Sequence, residues 1–241
     1  MCKNKWQDIW SRKATVLLND SGDEFSLFCE LKKADGFDVA VGDEITYYKS
    51  FYDGWIEFYN KIIELTPDCS VKSVYEVGCG SGVNLFMFRN RIPEVEVGGC
   101  DYSSTMIESA RRSTGSIDFL CCGADEIDIN PQYDLVMSES VFQYFESLEY
   151  AEKVLRKMIK KSNKIVYLGE IHDKQYEDRL IEYRKRTIDD YEERYKGLSK
   201  LFLDKDWIKN IVKEYGKKVL FTKVDNPEYI NAQFEFNCYI Y

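Results

Sequence analysis

The stretch Val74-Tyr75-Glu76-Val77-Gly78-Cys79-Gly80-Ser81-Gly82 decides how this chain folds. An apolar run of strand character passes straight into three glycines at alternate positions and then into a helical segment. Glycine has no Cβ, so such a turn lets a ligand lie against bare backbone, with the amides of a helix start close by. Turns of this kind serve several nucleotide-type ligands. Asp101 narrows the choice. It ends the next strand, Gly98-Gly99-Cys100-Asp101, about 20 residues further on, where a carboxylate can accept both hydroxyl protons of a ribose.

Working outward, short apolar runs alternate with helical runs from Val71 to about Glu170, which predicts an α/β domain built on a parallel sheet. Helices are expected near 82–90, 104–112 and 150–161, the second supported by Thr105 and Glu108 at capping-box spacing. Residues 1–68 read as an N-terminal helical cap, with Tyr48, Phe51, Trp55, Phe58 and Ile62 at helical spacing; 69–241 is the ligand-binding domain. Within it, about 173–215 is charged but keeps a helical stripe through Tyr176, Leu180, Tyr183, Thr187, Tyr191 and Tyr195, predicting a helical insertion. The end supplies two strands, Lys217–Val224 and Ala232–Tyr241. In the second, Phe234, Phe236, Cys238 and Ile240 alternate with Gln233, Glu235, Asn237 and Tyr239.

Composition excludes several classes. The chain has 241 residues and 42 acidic against 33 basic side chains, a formal charge of -9, which disfavours a nucleic-acid partner. No apolar run approaches the roughly 18 residues that span a bilayer, so no membrane insertion is expected. The start lacks the apolar core of a signal peptide, and the expected compartment is the cytoplasm. Eight cysteines form no CxxC and there is one histidine, so no metal site is implied; the cysteines read as small buried side chains in a reducing compartment. Nothing in the sequence sets an oligomeric state.

Glu76, one residue, then Gly78-x-Gly80-x-Gly82 resembles the first motif of the class I S-adenosylmethionine (SAM)-dependent methyltransferases. The resemblance covers about 71–170 and the final strand pair. It implies a seven-stranded Rossmann-like sheet, mostly parallel, with the last strand antiparallel beside the fifth, and SAM as cofactor. By the same resemblance Glu76 meets the ammonium side of the methionine moiety and Gly78, Gly80 and Gly82 admit its amino-acid part. Asp101 binds the ribose, Tyr102 and Met106 flank the adenine, and Ala124 and Asp125 lie at its edge. A nicotinamide-dependent dehydrogenase would want a third glycine where Val83 stands.

Methyl transfer from a sulfonium is an in-line displacement, so alignment and exclusion of water matter most. A hydroxyl acceptor also gains from a base. In open parallel sheets such groups lie at the carboxyl ends of strands. The fourth strand delivers Ser138 and Glu139 and the fifth delivers Glu170 and His172, making His172, Glu170 and Glu139 the catalytic candidates, with Ser138 beside the cofactor. Trp6, Trp10, Tyr47 and Tyr48 are candidates for an aromatic lid over the sulfonium, Trp10 and Tyr48 foremost. The fourth strand ends Ser138-Glu139-Ser140-Val141, without the Asn/Asp-Pro-Pro-aromatic string of many amino-group methylases, and Asn130-Pro131-Gln132-Tyr133 precedes the strand as a turn.

A small-molecule oxygen is therefore the expected acceptor. The strings Ile165–Asp173, Tyr183-Arg184 and Leu201–Trp207 loosely resemble small methyltransferases of bacterial surface-sugar and capsule biosynthesis. That implies a sugar or phosphoryl-modified glycan precursor, with Arg184, Lys185 or Arg186 meeting an anionic group. A tRNA or protein methyltransferase and a catalytically inactive SAM-binding partner subunit are the alternatives.

Overall fold

The structure is a computed structural model that describes residues 5–10, 22–36 and 43–241. The parts of the expected helical cap at 1–4, 11–21 and 37–42, with Cys2, lie outside the described residues. Strands β1 (Ser73–Val77), β2 (Glu96–Asp101), β3 (Phe119–Cys121), β4 (Tyr133–Glu139), β5 (Ser162–His172), β6 (Val219–Lys223) and β7 (Glu235–Ile240) form one sheet in the order β3-β2-β1-β4-β5-β7-β6. The first five pair in parallel; β7 runs antiparallel between β5 and β6. The sequence therefore predicts the sheet correctly, including its antiparallel end. Strand order reverses between β1 and β4, which opens a crevice at their carboxyl ends.

Helices α1 (Lys5–Trp10), α2 (Glu24–Ala34) and α3 (Glu44–Leu65) precede the sheet. Next come α4 (Val83–Arg91), α5 (Ser104–Thr114) and α6 (Leu148–Lys161), then α7 (Glu177–Thr187), α8 (Tyr191–Arg194) and α9 (Lys205–Lys213) between β5 and β6. Side chains alternate across the sheet. Val74, Leu135, Met137, Ile165, Tyr167 and Tyr239 face a core shared with α2 to α5, whereas Tyr75, Val77, Val136, Val166, Leu168 and Cys238 face one shared with α6 and α9. The apolar stripe of α3 lies in the first core, as its helical spacing predicts. A third cluster, Leu180, Phe202 and Phe234 with Tyr176 and Tyr183, holds the insertion to the sheet. No helix among the described residues is long and apolar enough to cross a membrane.

Three local expectations need correction. The α5 cap is Ser103, whose Oγ accepts the Met106 amide, rather than Thr105; Thr105 sits inside the helix and Glu108 pairs with Arg112 four residues on. The last strand begins at Glu235, because 230–234 coils as a 3₁₀ turn and Phe234 packs on the insertion. Its two faces are both covered, so alternation in β7 separates two cores and not core from solvent. Finally, Cys79, Cys100 and Cys238 are buried as expected, but Cys121 is exposed where β3 forms the sheet edge.

Candidate active site

The glycine turn sits at the carboxyl end of β1. Gly78, Gly80 and Gly82 have φ of 75°, 51° and 84°, the left-handed region that L side chains avoid. Each also lacks room for a Cβ, which would lie 2.5 Å from Val141 Cγ2 at Gly78, 2.6 Å from Asp35 Oδ1 at Gly80 and 2.9 Å from the Ala110 backbone at Gly82. Two carboxylates define the turn. The Gly80 amide donates to Asp101 Oδ2 (3.2 Å) and the Ser103 amide to Asp101 Oδ1 (2.8 Å), so Asp101 ties β1's turn to β2's. The Ser81 amide donates to Asp35 Oδ1 (2.7 Å), and burial pushes the Asp35 carboxyl up to about 6.

Behind the turn lies a buried acidic cluster. Asn84, in the first turn of α4, donates through Nδ2 to Glu76 Oε1 (2.7 Å) and to Glu139 Oε2 (2.6 Å), binding the ends of β1 and β4 together. Glu76 is 2% exposed, and its Oε2 has no hydrogen-bond partner among the described residues. Burial raises its carboxyl well above the usual range, helped by Glu139 and Asp35. Lys32 of α2 is buried against the same carboxylates. Burial alone would lower its ammonium, but Glu139, Glu170, Asp35 and Glu76 outweigh it and keep it charged.

At the next strand ends, Ser140 and Glu170 are held side by side. The pairing of β5 with β7 shifts between Leu168 and Ile171, and within that bulge Glu170 takes φ 53°, its amide donating to Asn237 Oδ1 (3.0 Å). The Ser140 hydroxyl donates to Glu170 Oε2, and the Ser140 amide to the Gly169 carbonyl (3.1 Å). Glu170 is pushed up to about 7 by burial and by Glu139, so it exchanges its proton near neutrality. Glu139 and Glu170, two of the sequence candidates, thus come together around Lys32.

His172 is 1% exposed and packs on Phe202, with Nε2 3.3 Å from Glu235 Oε1. Burial, with Lys200 and Arg184 adding to it, drives the imidazole well below its usual pKa; burial and Glu170 drive Glu235 well above. Both shifts favour the uncharged forms of the pair, and His172, buried against Phe202, stands behind the site rather than in its opening.

The remaining expected residues divide. Ser138 is fully buried and donates to the Val77 carbonyl (2.9 Å), bracing β4 on β1. Tyr102 is half-buried directly after Asp101, and Met106 is buried in α5. Asp125 accepts from Tyr150 (3.0 Å) and Lys153 (2.6 Å) of α6, with Ala124 beginning the same short turn. Trp6 and Trp10 both set their ring edges on Tyr144 (5.0 and 5.5 Å), beside the insertion, whereas Tyr47 and Tyr48 are buried in the α2–α3 layer. Asn84, Lys32 and Asp35 were not singled out from sequence, and Ser140 was placed at the end of the fourth strand without a role. A polar residue opening the helix after the glycine turn is a usable signal for Asn84; Lys32 and Asp35 carry none.

Residues 74–162 match the family described as a methyltransferase domain. Malonyl-[acyl-carrier protein] O-methyltransferase of Priestia megaterium is 31% identical over 97 residues, 39% of this chain and 35% of that protein. The nonribosomal peptide synthetase asqK of Emericella nidulans is 28% identical over 193 residues, 65% of this chain and 7% of its length. The matched stretch thus spans about a third or less of these curated relatives. Magnesium protoporphyrin IX methyltransferase of Synechocystis with bound SAH aligns at TM-score 0.59 and 13% identity, covering 90% of this chain and 98% of the other. A plantazolicin methyltransferase with SAH and a substrate analogue aligns at 0.58 and 13%, covering 98% of each chain. Residues 74–162 are thus similar to a methyltransferase domain, and the chain shares the fold of these SAH-bound methyltransferases.

Proposed function

We propose that this chain transfers a methyl group from SAM to an oxygen of a small molecule. The observation that carries the reading is the pairing of Asp101 with the glycine turn in front of a buried Glu76 oxygen that has no hydrogen-bond partner among the described residues. Those residues fit the cofactor. Glu76 Oε2 is an acceptor available to an ammonium, and the excess of carboxyl groups over Lys32 suits a ligand that carries both an ammonium and a sulfonium. Gly78, Gly80 and Gly82 would admit the amino-acid part and Asp101 the ribose; Tyr102, Met106, Ala124 and Asp125 would surround the adenine. When bound, SAM supplies an electrophilic methyl on a positively charged sulfur.

Glu170 has the position and proton affinity of a base for an acceptor hydroxyl, since a group poised near pH 7 is half in its basic form there. Ser140 orients that carboxylate and Glu139 raises its affinity for the proton. His172, neutral and packed on Glu235, would hold the β5–β7 wall of the acceptor side. The loose resemblance to surface-sugar enzymes supports a phosphoryl-bearing sugar precursor in the cytoplasm as the finer choice of acceptor.

Turnover of methyl-labelled SAM on a panel of sugar phosphates, carboxylic acids, tRNA and protein tests the proposal. Label in a small molecule is the expected result. Label only in RNA or protein would overturn the acceptor class, and binding of SAM without any transfer would identify an inactive scaffold.

A further inference from the structure

Two cations of the insertion meet over the His172 side of the site. Arg184 lies one helical turn after the buried Leu180, so α7 directs it to the same inward face. Lys200 begins the segment that clamps the end of β5: Leu201 donates to the Gln143 carbonyl (2.9 Å) and Leu203 to that of His172 (2.9 Å). Its ammonium lies 3.3 Å from the ring centre of Tyr144 and 4.3 Å from that of Trp6. Both cations are half-buried, and both act electrostatically on His172 and Glu235.

Two neighbouring cations on the insertion are neutralised, Lys185 by Glu192 (2.7 Å) and Lys205 by Asp173. Among the described residues Arg184 and Lys200 form no ion pair with a carboxylate. The nearby Glu235 is a poor counter-ion for them, since burial and Glu170 push its carboxyl well above the usual carboxylate range. Burial, with Arg184 adding to it, pushes the Lys200 ammonium well below its ordinary range, and an anion that joins the two side chains would raise it again while gaining charge-assisted hydrogen bonds, bidentate ones at Arg184. Trp6, Tyr144 and Tyr195 wall the same place, with Trp6 and Tyr195 rings 6.4 Å apart.

We propose that Arg184 and Lys200 form the acceptor's anchoring subsite and take an oxyanion, a carboxylate or phosphate group of the molecule to be methylated. The inference rests on the methyl-transfer reading for the word acceptor, and on the cation pair alone for the oxyanion. It makes the substrate an anionic metabolite whose charged end is held at α7 while its reacting oxygen reaches towards Glu170.

Calorimetric titration of the full chain with phenyl phosphate, benzoate and neutral benzyl alcohol, each with and without saturating S-adenosylhomocysteine, tests this. At least one oxyanion is expected to bind ten times more tightly than benzyl alcohol, and the better of the two identifies the group. R184Q/K200Q is expected to lose at least tenfold of that affinity while binding S-adenosylhomocysteine as the wild type does. Equal binding of the three probes to the wild type would overturn the subsite even if the double variant failed to fold, as would full retention of oxyanion affinity in a folded variant. Oxyanion binding without any uptake of S-adenosylhomocysteine would leave the subsite standing and remove the methyl-transfer reading.

Discussion

Ser140 and Glu170 end adjacent parallel strands, both carry left-handed backbone (φ 55° and 53°), and the hydroxyl of one donates to the carboxylate of the other. Neither is glycine, so each conformation costs on the order of 1–3 kcal/mol. The surrounding sheet imposes it through the Ser140 amide on Gly169 and the Glu170 amide on Asn237. The two hydrogen bonds thus hold in place, beside Ser140, a carboxyl that is pushed up to about 7.

Glu170→Gln is therefore expected to separate stability from activity. The folded-state carboxyl is raised from its ordinary value to about 7, so the stability linked to its protonated form is fully present below about pH 4 and is lost as pH rises through about 7. The glutamine variant should match the wild type near pH 4 and exceed it at pH 8, by on the order of 2 kcal/mol in urea unfolding. Its turnover should fall at least about tenfold, and wild-type turnover should rise with pH through about 7. A variant with no stability gain at pH 8 would contradict the assignment.

Asp35 occupies the Ser81 amide beside Gly80, where a ligand resting on the glycine turn would seek a donor. Asp35→Ala is expected to tighten S-adenosylhomocysteine binding at least threefold at pH 8. Because Asp35 titrates near 6 the gain should shrink at pH 5, where the native carboxyl is already protonated. Weaker binding in the variant at both pH values would show that Asp35 helps to hold the ligand.

Gly82 fixes the approach of α4 to α5. An alanine there must adopt φ 84° and push its Cβ into the Ala110 backbone, which cannot yield as a flexible side chain would. Gly82→Ala should cost about 2 kcal/mol or more in denaturant unfolding, whereas Gly115→Ala, with a similar φ of 67° and open space around it, should cost less. Equal losses would assign the effect to backbone conformation alone.

His172→Ala should lower turnover at least tenfold with S-adenosylhomocysteine affinity intact, since its contacts are Phe202 and Glu235 on the acceptor side. Unchanged turnover would remove it from the mechanism.

The strand-to-glycine turn and Asp101 were legible in sequence because local spacing sets their place: a strand running into alternate glycines exposes backbone to a ligand, and a carboxylate after the next parallel strand lies beside that turn and narrows the choice. The α2 contribution was not legible. Lys32 and Asp35 sit in an ordinary charged helix end, Glu-Leu-Lys-Lys-Ala-Asp, and acquire meaning only when α2 packs on α4 and brings them to Glu76, Glu139 and Ser81. Glu170 stood out at the end of the fifth strand, but its contact with Ser140 needed the β5–β7 bulge, which periodicity cannot foresee. His172 stood out as the lone imidazole, yet its burial against Phe202 depends on the insertion folding back over β5.

Calorimetric titration with S-adenosylhomocysteine and SAM is the most direct test of the whole proposal. One molecule per chain is expected to bind, with the affinity for S-adenosylhomocysteine falling at least tenfold in Asp101→Ala. Absence of binding by either molecule to the folded wild-type chain would contradict it.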